Sequence, residues 1–434
     1  MTTLPDFKKL KNHLLATVQR ELSMRAPGED EYQQVLAKLI QQSYAQTNLH
    51  LPDNSRDELF REIYDELVGY GPIQPLLADP DISEIMVVGA KKIYIEKNGE
   101  ITETGITFED DNHVLRIIDR MIFPLGRRVD VDSPAVDARL PDGSRVHVVI
   151  PPVSVDGPCI TIRKFLENKM TTEDLVKFGS ITENMVEFLQ ACVSARLNVV
   201  VTGGTSSGKT TMLNALSGFI PLHERIITIE DAVELKMKQK HVVRLETKNA
   251  NMDGGGGMTT RDLVRHALRM RPDRIIVGEA RGGEAMDMLQ AMNTGHNGSI
   301  TTLHANSPRD AIARMETMCM MAGLDLPLLA IRKQIAAAVD LIVHMDRLED
   351  GTRKTANITE VAGMESDVVT LNDIFKFEPT GIGEGGKILG EMKATGIRPL
   401  FTPRLEVVGY KLRGEVFGAG TGMWNNDRRP PRRG

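Results

Sequence analysis

The stretch LNVVVTGGTSSGKTTMLNALSGFI, residues 197–220, decides the fold. It begins with an aliphatic run, turns through glycines and then resumes with apolar residues at helical spacing. The turn matches the pattern GxxxxGK followed by Ser or Thr in full, at Gly203, Gly208, Lys209 and Thr210. Because a glycine loop between a strand and a helix is where many proteins hold phosphates, the sequence predicts a phosphate-binding loop.

The residue types in this loop explain how it would hold a nucleotide. Glycines let backbone N–H groups converge on phosphate oxygens, and the start of the following helix adds partial positive charge. Lys209 would neutralise β- and γ-phosphate oxygens, and Thr210 would ligate Mg²⁺. The predicted nucleotide contacts are Gly203, Gly204, Thr205, Ser206, Ser207, Gly208, Lys209, Thr210 and Thr211.

Two further aliphatic runs end in acids. RIITIED, residues 225–231, reaches Glu230, and RIIVGEA, residues 274–280, reaches Glu279. Ligands gather at the carboxyl ends of parallel strands, so both acids are expected near the loop. Gly278 stands where an aspartate usually supports the metal in such proteins. Glu230 is therefore predicted to share in holding Mg²⁺, and a solvated strand end is the alternative for each acid.

A single histidine follows a glycine-rich turn in NTGHNGSITTLHANSPRD, residues 293–310. His304 could be a metal ligand, a catalytic base, a sensor of something bound nearby or a buried structural residue. No second histidine lies three or four residues further on to support a metal. His266, His296 and His344 remain possible partners in space.

Composition describes an ordinary globular chain of 434 residues, a length that suggests roughly two to four domains. Hydrophobic content of 41%, charged content of 26% and a net charge of −6 do not favour disorder, membrane spanning or attraction to DNA. Cys159, Cys192 and Cys319 are dispersed without CxxC spacing, so neither disulfides nor a zinc site is predicted. No stretch approaches the ~18 to 20 apolar residues of a spanning helix, so work at a membrane would be from its surface.

Changes in pattern along the chain predict four regions. We expect an α-helical N-terminal region over 1–70, a small α+β domain with its linker over 71–165, and the phosphate-binding domain over 166–346. A C-terminal subdomain with a hairpin at Asp350-Gly351, ending in a basic tail, is expected over 347–434. Such a cationic tail could contact anionic lipid, with an inert solvated tail as the alternative.

Four motifs together carry a family resemblance. GGTSSGKTT, ITIEDAVEL, LRMRPDRIIVGEARGGEA and GSITTLHAN resemble, in order and spacing, the type II/IV secretion-system ATPase family. They are most similar to its tight-adherence (Flp) pilus branch, the CpaF-type proteins, and the resemblance spans about residues 60–345. It implies an α/β fold: a RecA-like P-loop ATPase core with a preceding small α+β domain and an α-helical N-terminal region.

The resemblance also implies a function. Members are homo-hexameric motors that hydrolyse ATP with Mg²⁺ and drive pilus assembly or protein secretion through an inner-membrane platform, which implies a cytoplasmic protein peripheral at that membrane. The four-cysteine zinc module of many type II secretion motors is missing, so no zinc is expected. The alternative is a nucleic-acid-translocating hexamer of a conjugation-like system, although net charge and 4% aromatic content disfavour nucleic-acid binding. A P-loop GTPase or small-molecule kinase is a third class, and the NKxD signature of guanine recognition is absent.

Residue roles follow from the same resemblance. Glu230 falls in the family's acidic box, Glu279 in its modified Walker B motif and His304 in its histidine box, so these three are expected to be catalytic. His304 would contact or sense the γ-phosphate. Arginines would stabilise charge on that phosphate, with a surface or interface ion pair as the alternative for each. The candidates are Arg139, Arg145, Arg163 and Arg281.

Overall fold

The computed structural model describes residues 4–25, 29–47, 49–97, 99–165, 170–248 and 256–418. Its chain divides into two compact units, Met1–Glu167 and Asn168–Gly434. The predicted basic tail after 418 lies outside the described residues, as does segment 249–255. The four predicted regions and the three boundaries between them stay predictions.

The first unit opens with three helices, α1 (Leu4–Arg25), α2 (Glu29–Ala45) and α3 (Asp53–Leu67). Apolar residues at helical spacing form one face of each helix, and burying these faces together gives the helices a common core. That core is built from Leu14, Val18, Leu22, Leu36, Leu39, Ile40, Leu59 and Ile63.

A six-stranded antiparallel sheet follows in the same unit, in the order β3-β2-β1-β6-β5-β4. Its hydrophobic core is continuous with the buried face of α5. Strands β2 and β3 form one antiparallel hairpin, and β4 and β5 form another. The elements are α4 (Gln74–Ala78), β1 (Ile82–Val88), β2 (Lys92–Lys97), β3 (Glu100–Glu103), α5 (Asp111–Ile122), β4 (Ala135–Arg139), β5 (Arg145–Val149) and β6 (Cys159–Arg163), with 3₁₀ turns at Gly71–Ile73 and Phe123–Leu125.

The second unit is built on one nine-stranded sheet, in the order β15-β14-β13-β12-β7-β11-β10-β8-β9. Strands β12, β7, β11, β10, β8 and β9 run parallel. Its strands and helices are α6 (Thr172–Lys177), α7 (Glu183–Ser194), β7 (Val199–Gly203), α8 (Lys209–Ser217), β8 (Ile226–Glu230), β9 (Val242–Glu246), α9 (Thr260–Ala267), β10 (Arg274–Val277), α10 (Glu284–Asn293), β11 (Ile300–His304), α11 (Pro308–Met320), α12 (Leu328–Ala338), β12 (Leu341–Arg347), β13 (Arg353–Glu365), β14 (Val368–Ile382), β15 (Ile388–Ala394) and α13 (Thr402–Val407), with 3₁₀ turns at Glu384–Gly386 and Gly414–Phe417.

The aliphatic runs become the central parallel strands because helices cover both faces of the sheet. Every residue of β7, β8 and β10 is buried. Strand-loop-helix continuity at β7 and α8, with the neighbouring parallel strands, makes this unit a RecA-like α/β fold, as predicted. The sheet order sets β7, β11, β10 and β8 side by side, so the loops after their carboxyl ends meet at one edge.

Three antiparallel strands, β13, β14 and β15, extend the same sheet beyond β12. The turn between β12 and β13 contains Asp350 and Gly351, where the sequence predicted a hairpin. Phe188 of α7 packs against the rings of Phe375, Phe401 and Phe417, which joins this extension to the core. Among the described residues, no helix combines the length and the apolar character that crossing a membrane requires.

Candidate nucleotide-binding site

The predicted phosphate-binding loop connects β7 to α8. Gly203 has a φ of +153°, and a side chain there would collide with the Met345 carbonyl oxygen and the Ser207 hydroxyl. Gly208, with a φ of +98°, caps the start of α8. Both positions require glycine, because L-residues rarely adopt these backbone angles. The loop thus turns tightly enough to aim successive N–H groups at a single anion.

Lys209 is buried within this loop. Its Nζ donates to the carbonyl oxygens of Gly203 at 3.1 Å and Gly204 at 2.7 Å, and it lies 3.4 Å from Nδ1 of His304. Burial lowers the pKa of Lys209, while the nearby Glu279 carboxylate opposes that shift. When a phosphate binds, the ammonium group of Lys209 would exchange its carbonyl contacts for phosphate oxygens. Because the ammonium is partly desolvated, that exchange gains Coulomb energy.

Glu279 and His304 meet at the end of neighbouring strands. Nε2 of His304 lies 2.8 Å from Oε1 of Glu279, and Nη2 of Arg281 lies 2.5 Å from Oε2 of the same carboxylate. Burial, followed by the charge on Lys209, lowers the pKa of His304, although Glu279 favours its protonation. A neutral imidazole can accept from Lys209 through Nδ1, while Nε2 lies close to Glu279 Oε1, which has no hydrogen-bond partner among the described residues.

Arg281 joins this cluster from the loop after β10. Besides Glu279, its guanidinium reaches Oδ2 of Asp231 at 3.6 Å. The hydrogen bond with Glu279 is the main reason that the pKa of Arg281 is raised. One set of ion pairs therefore joins four residues from the ends of three strands: Asp231, Glu279, Arg281 and His304.

Glu230 ends β8 and is buried. Its Oε2 accepts the backbone N–H groups of Glu234 at 2.7 Å and Leu235 at 2.9 Å. Burial raises the pKa of Glu230, and these two hydrogen bonds partly offset the shift. A Cβ at Gly278 would lie 3.0 Å from Glu230 Cγ, so Glu230 occupies the space that a side chain at position 278 would need. A side chain at position 278 would therefore require Glu230 to shift.

The predicted metal-binding hydroxyl is available to solvent: Thr210 is exposed at the start of α8, and Thr211 is half-buried. Among the residues that the structure describes, no three His, Cys, Asp or Glu side chains converge as a metal site of their own. Oxygen ligands from a hydroxyl, a carboxylate and a bound phosphate are what Mg²⁺ prefers. The donors at this edge therefore fit a magnesium ion that arrives with the nucleotide.

The three other predicted arginines lie in the first unit, in one row across its sheet. Arg139 pairs in register with Arg145, and Arg145 pairs with Arg163 on the other side. Nε of Arg163 bonds Oε1 of Glu84 at 2.8 Å. Glu84 therefore neutralises charge at one end of the row, and Nε of Arg139 donates to the carbonyl oxygen of Gly143 at 3.3 Å. A role toward the nucleotide stays a prediction for all three.

Sequence reasoning missed two residues that touch the loop or its strand. Arg353 of β13 donates through Nε to the carbonyl oxygen of Ser206 at 2.9 Å. His344, considered only as a metal partner, is buried with Nδ1 2.8 Å from the Thr202 hydroxyl. No sequence motif marks either residue, because both reach the loop only when β12 and β13 join the sheet beside β7.

Comparison with known proteins agrees with this geometry. A family described as type II/IV secretion system protein matches residues 66–382. A putative conjugal transfer protein of Mycobacterium tuberculosis is 36% identical over 338 residues, covering 73% of this chain and 96% of that protein. The type IV secretion system protein VirB11 of Brucella suis is 31% identical over 318 residues, covering 67% of this chain and 88% of that protein.

Among solved structures, the VirB11 ATPase of the Brucella suis type IV secretion system, in complex with sulphate, is similar to this chain. It is 30% identical, with coverage of 67% of this chain and 92% of that structure, and a TM-score of 0.38. The family match extends from before the first sheet to β14 and so includes every motif of the phosphate-binding edge. The chain belongs to the type II/IV secretion system protein family, as one of its ATPases.

Proposed function

We propose that this chain is the ATP-hydrolysing motor of a tight-adherence (Flp) pilus, acting as a homo-hexamer on an inner-membrane platform from the cytoplasmic side. The observation that carries the proposal is the contact chain Lys209–His304–Glu279 at the mouth of the phosphate-binding loop, with distances of 3.4 and 2.8 Å. A phosphate sensor joined to both the gripping lysine and an acid couples nucleotide state to neighbouring strands.

In the proposed reaction, the loop N–H groups and the start of α8 bind the phosphates, and Lys209 neutralises the β and γ oxygens. The Thr210 hydroxyl and Glu230 would hold Mg²⁺, which when bound neutralises phosphate charge. Glu279 would orient the attacking water and accept its proton. His304 would exchange its contact with Glu279 for one with the γ-phosphate, and would lose that phosphate contact after hydrolysis.

Arginines would supply the remaining positive charge. Arg281 lies 2.5 Å from Oε2 of Glu279, and release from that carboxylate would let its guanidinium turn to phosphate. Arg139, Arg145 and Arg163 are kept as further candidates for this charge on the strength of the family resemblance alone. If Arg163→Ala left both ATP affinity and hydrolysis unchanged, Arg163 would have only a structural role.

The test uses the purified full chain with Mg-ATP. Turnover, a mass six times that of the monomer, and stimulation by the cytoplasmic domain of a pilus platform protein are expected. Lys209→Ala, measured in the same assays, gives the signal that remains without the phosphate-binding lysine. A chain that shows neither binding heat with ATP nor a difference from Lys209→Ala would overturn the proposal.

A second candidate is a nucleic-acid-translocating hexamer of a conjugation-like system. It is favoured by the name of the Mycobacterium tuberculosis relative, a putative conjugal transfer protein. Net charge of −6 and 4% aromatic residues argue against a nucleic-acid track on this chain. The two candidates separate in one assay: hydrolysis stimulated by DNA at physiological salt, and not by the platform domain, would select the second.

A further inference from the structure

Arg353 braces the phosphate-binding loop from the antiparallel side of the sheet. Its Nε–H donates to the Ser206 carbonyl oxygen at 2.9 Å, between residues 147 positions apart. A Cβ added at Gly208 would lie 3.5 Å from Arg353 Cδ, so the arginine stem also runs beside the last residue of the loop. One side chain thus bonds the loop at Ser206 and runs close to Gly208.

Both points are places where the backbone turns left-handed. Ser206 has a φ of +57° and Gly208 a φ of +98°. Glycine adopts such angles freely, whereas serine does not, because its Cβ crowds the neighbouring carbonyl. A non-glycine residue keeps this conformation only when its surroundings enforce it. The hydrogen bond from Arg353 acts on the Ser206 carbonyl itself and provides that enforcement.

Arg353 is itself firmly placed. Its carbonyl oxygen accepts from the Ser180 hydroxyl at 2.8 Å, and the Thr355 N–H donates to the Ser180 carbonyl oxygen at 2.9 Å. The adjoining turn is tied down through Asp350, whose Oδ2 accepts from the Ile388 N–H at 2.8 Å. The guanidinium therefore projects from a rigid hairpin, which is what positioning a loop requires.

We propose that Arg353 is a positioning residue that holds the phosphate-binding loop in its phosphate-accepting conformation. The inference rests on the proposed function, since it presupposes that this loop binds ATP. When Arg353 holds the loop, binding does not have to include the free-energy cost of ordering it. Every phosphate ligand should therefore bind more tightly than it would without Arg353, by the same factor. Turnover at saturating ATP should depend little on Arg353, because ground state and transition state use the same loop.

The experiment compares three variants of the full chain. Arg353→Met keeps the stem and removes the donor, and Arg353→Lys restores a charged donor. Lys354→Ala is the matched control. Lys354 is the next residue in the chain, and its Nζ donates to the Gly179 carbonyl oxygen at 2.7 Å, away from the loop. Competition against a fluorescent ATP analogue gives Kd for ADP and for inorganic tripolyphosphate, and steady-state hydrolysis gives kcat and KM.

We expect Arg353→Met to raise both Kd values and KM by about tenfold, the effect of losing one hydrogen bond from a charged donor. The factor should be equal for ADP and tripolyphosphate, kcat should change less than about twofold on the same basis, and Arg353→Lys should recover part of the loss. Lys354→Ala should match the wild type.

Each other outcome has a distinct meaning. Wild-type Kd values for Arg353→Met, beside a wild type that binds ATP, would overturn the inference and leave the proposed function standing. A loss for ADP without one for tripolyphosphate would mean direct contact with the nucleoside and would also overturn it. A lower Tm for Arg353→Met, with no rescue by Arg353→Lys, would reduce the residue to a structural role. A wild type that binds none of the probes would sink the proposed function itself.

Discussion

The nine-stranded sheet carries charged clusters at both ends of its parallel strands, and the two clusters are built differently. At the amino end, Arg274 is fully buried and its Nε bonds Oε2 of Glu224 at 2.6 Å. Nη1 of Arg274 donates to the carbonyl oxygen of Gly298 at 3.3 Å. At the carboxyl end, the side chains of His304 and Arg281 are 44% and 62% exposed and share Glu279 between them.

This difference distinguishes the ion pair that we assign to stability from the cluster that we propose to be functional. The guanidinium of Arg274 fills the space that a side chain at Gly298 would need, so the amino-end pair has no room to change partners. Around Glu279, the guanidinium of Arg281 and the imidazole of His304 each have solvent on one side, which gives them room to exchange the carboxylate for a phosphate. Perturbed charges mark both places, and only exposure and free volume tell which place does chemistry.

Breaking the amino-end pair should give the largest effect, on stability. Arg274→Met leaves the buried Glu224 with only Arg196, which is 43% exposed and lies 3.2 Å away, so the free energy of unfolding should fall by about 3 kcal/mol. The measurement is denaturant unfolding of the full chain. Turnover per folded molecule should hold, and Arg274→Met combined with Glu224→Leu should restore most of the stability. Loss of kcat with unchanged stability would contradict the structural assignment of this pair.

The carboxyl-end acid should show the opposite pattern. Glu279→Gln keeps the shape of the side chain and removes its charge and basicity, so kcat should fall about 100- to 1,000-fold, or roughly 3–4 kcal/mol of barrier. The free energy of unfolding should change by no more than about 0.5 kcal/mol. Glu316→Gln is the matched control, since Glu316 bonds Arg332 at 2.8 Å outside the site. Equal effects of the two substitutions on kcat would remove Glu279 from catalysis.

His304 should affect turnover more than binding. His304→Ala removes the link between Lys209 and Glu279, and we expect kcat to fall about 10- to 100-fold, the range for a hydrogen bond to a charged group. Nucleotide Kd should change only slightly. The exposed His266, replaced by Ala, serves as the control in the same hydrolysis and binding assays. An unchanged kcat in His304→Ala would end the sensor interpretation.

The smallest expected effect is on the pH dependence of stability. The pKa of His304 is lowered in the folded chain, chiefly by burial and then by Lys209, with Glu279 acting in the opposite sense. As pH falls, the unfolded chain therefore binds a proton at this histidine before the folded chain does. The contribution of His304 to the free energy of unfolding is full above the ordinary histidine pKa of about 6.5, and it declines as pH falls toward the lowered pKa. Between pH 7.5 and 5.5, the free energy of unfolding should fall less for His304→Gln than for the wild type. An identical slope would show that the imidazole is not held neutral.

Much of the fold was readable from local patterns. The aliphatic runs ending at Gly203, Glu230 and Val277 became β7, β8 and β10, and the predicted hairpin at Asp350-Gly351 formed. Buried parallel strands and glycine turns are specified by residues close in sequence, so they can be identified without long-range contacts. The family, and with it ATP hydrolysis, was predicted from motifs that share this locality. The Flp branch, the hexamer and the site roles stay predictions.

The sequence alone determined that a phosphate loop exists, because glycine angles, an aliphatic strand and a following helix are set within 24 consecutive residues. Only the tertiary structure decided which distant side chains surround that loop. Strand order brings His304 beside Lys209 and lets Arg353 reach Ser206, and register aligns Arg145 between two other arginines. Such contacts depend on how strands pair across long sequence separations, and no local spacing encodes that pairing.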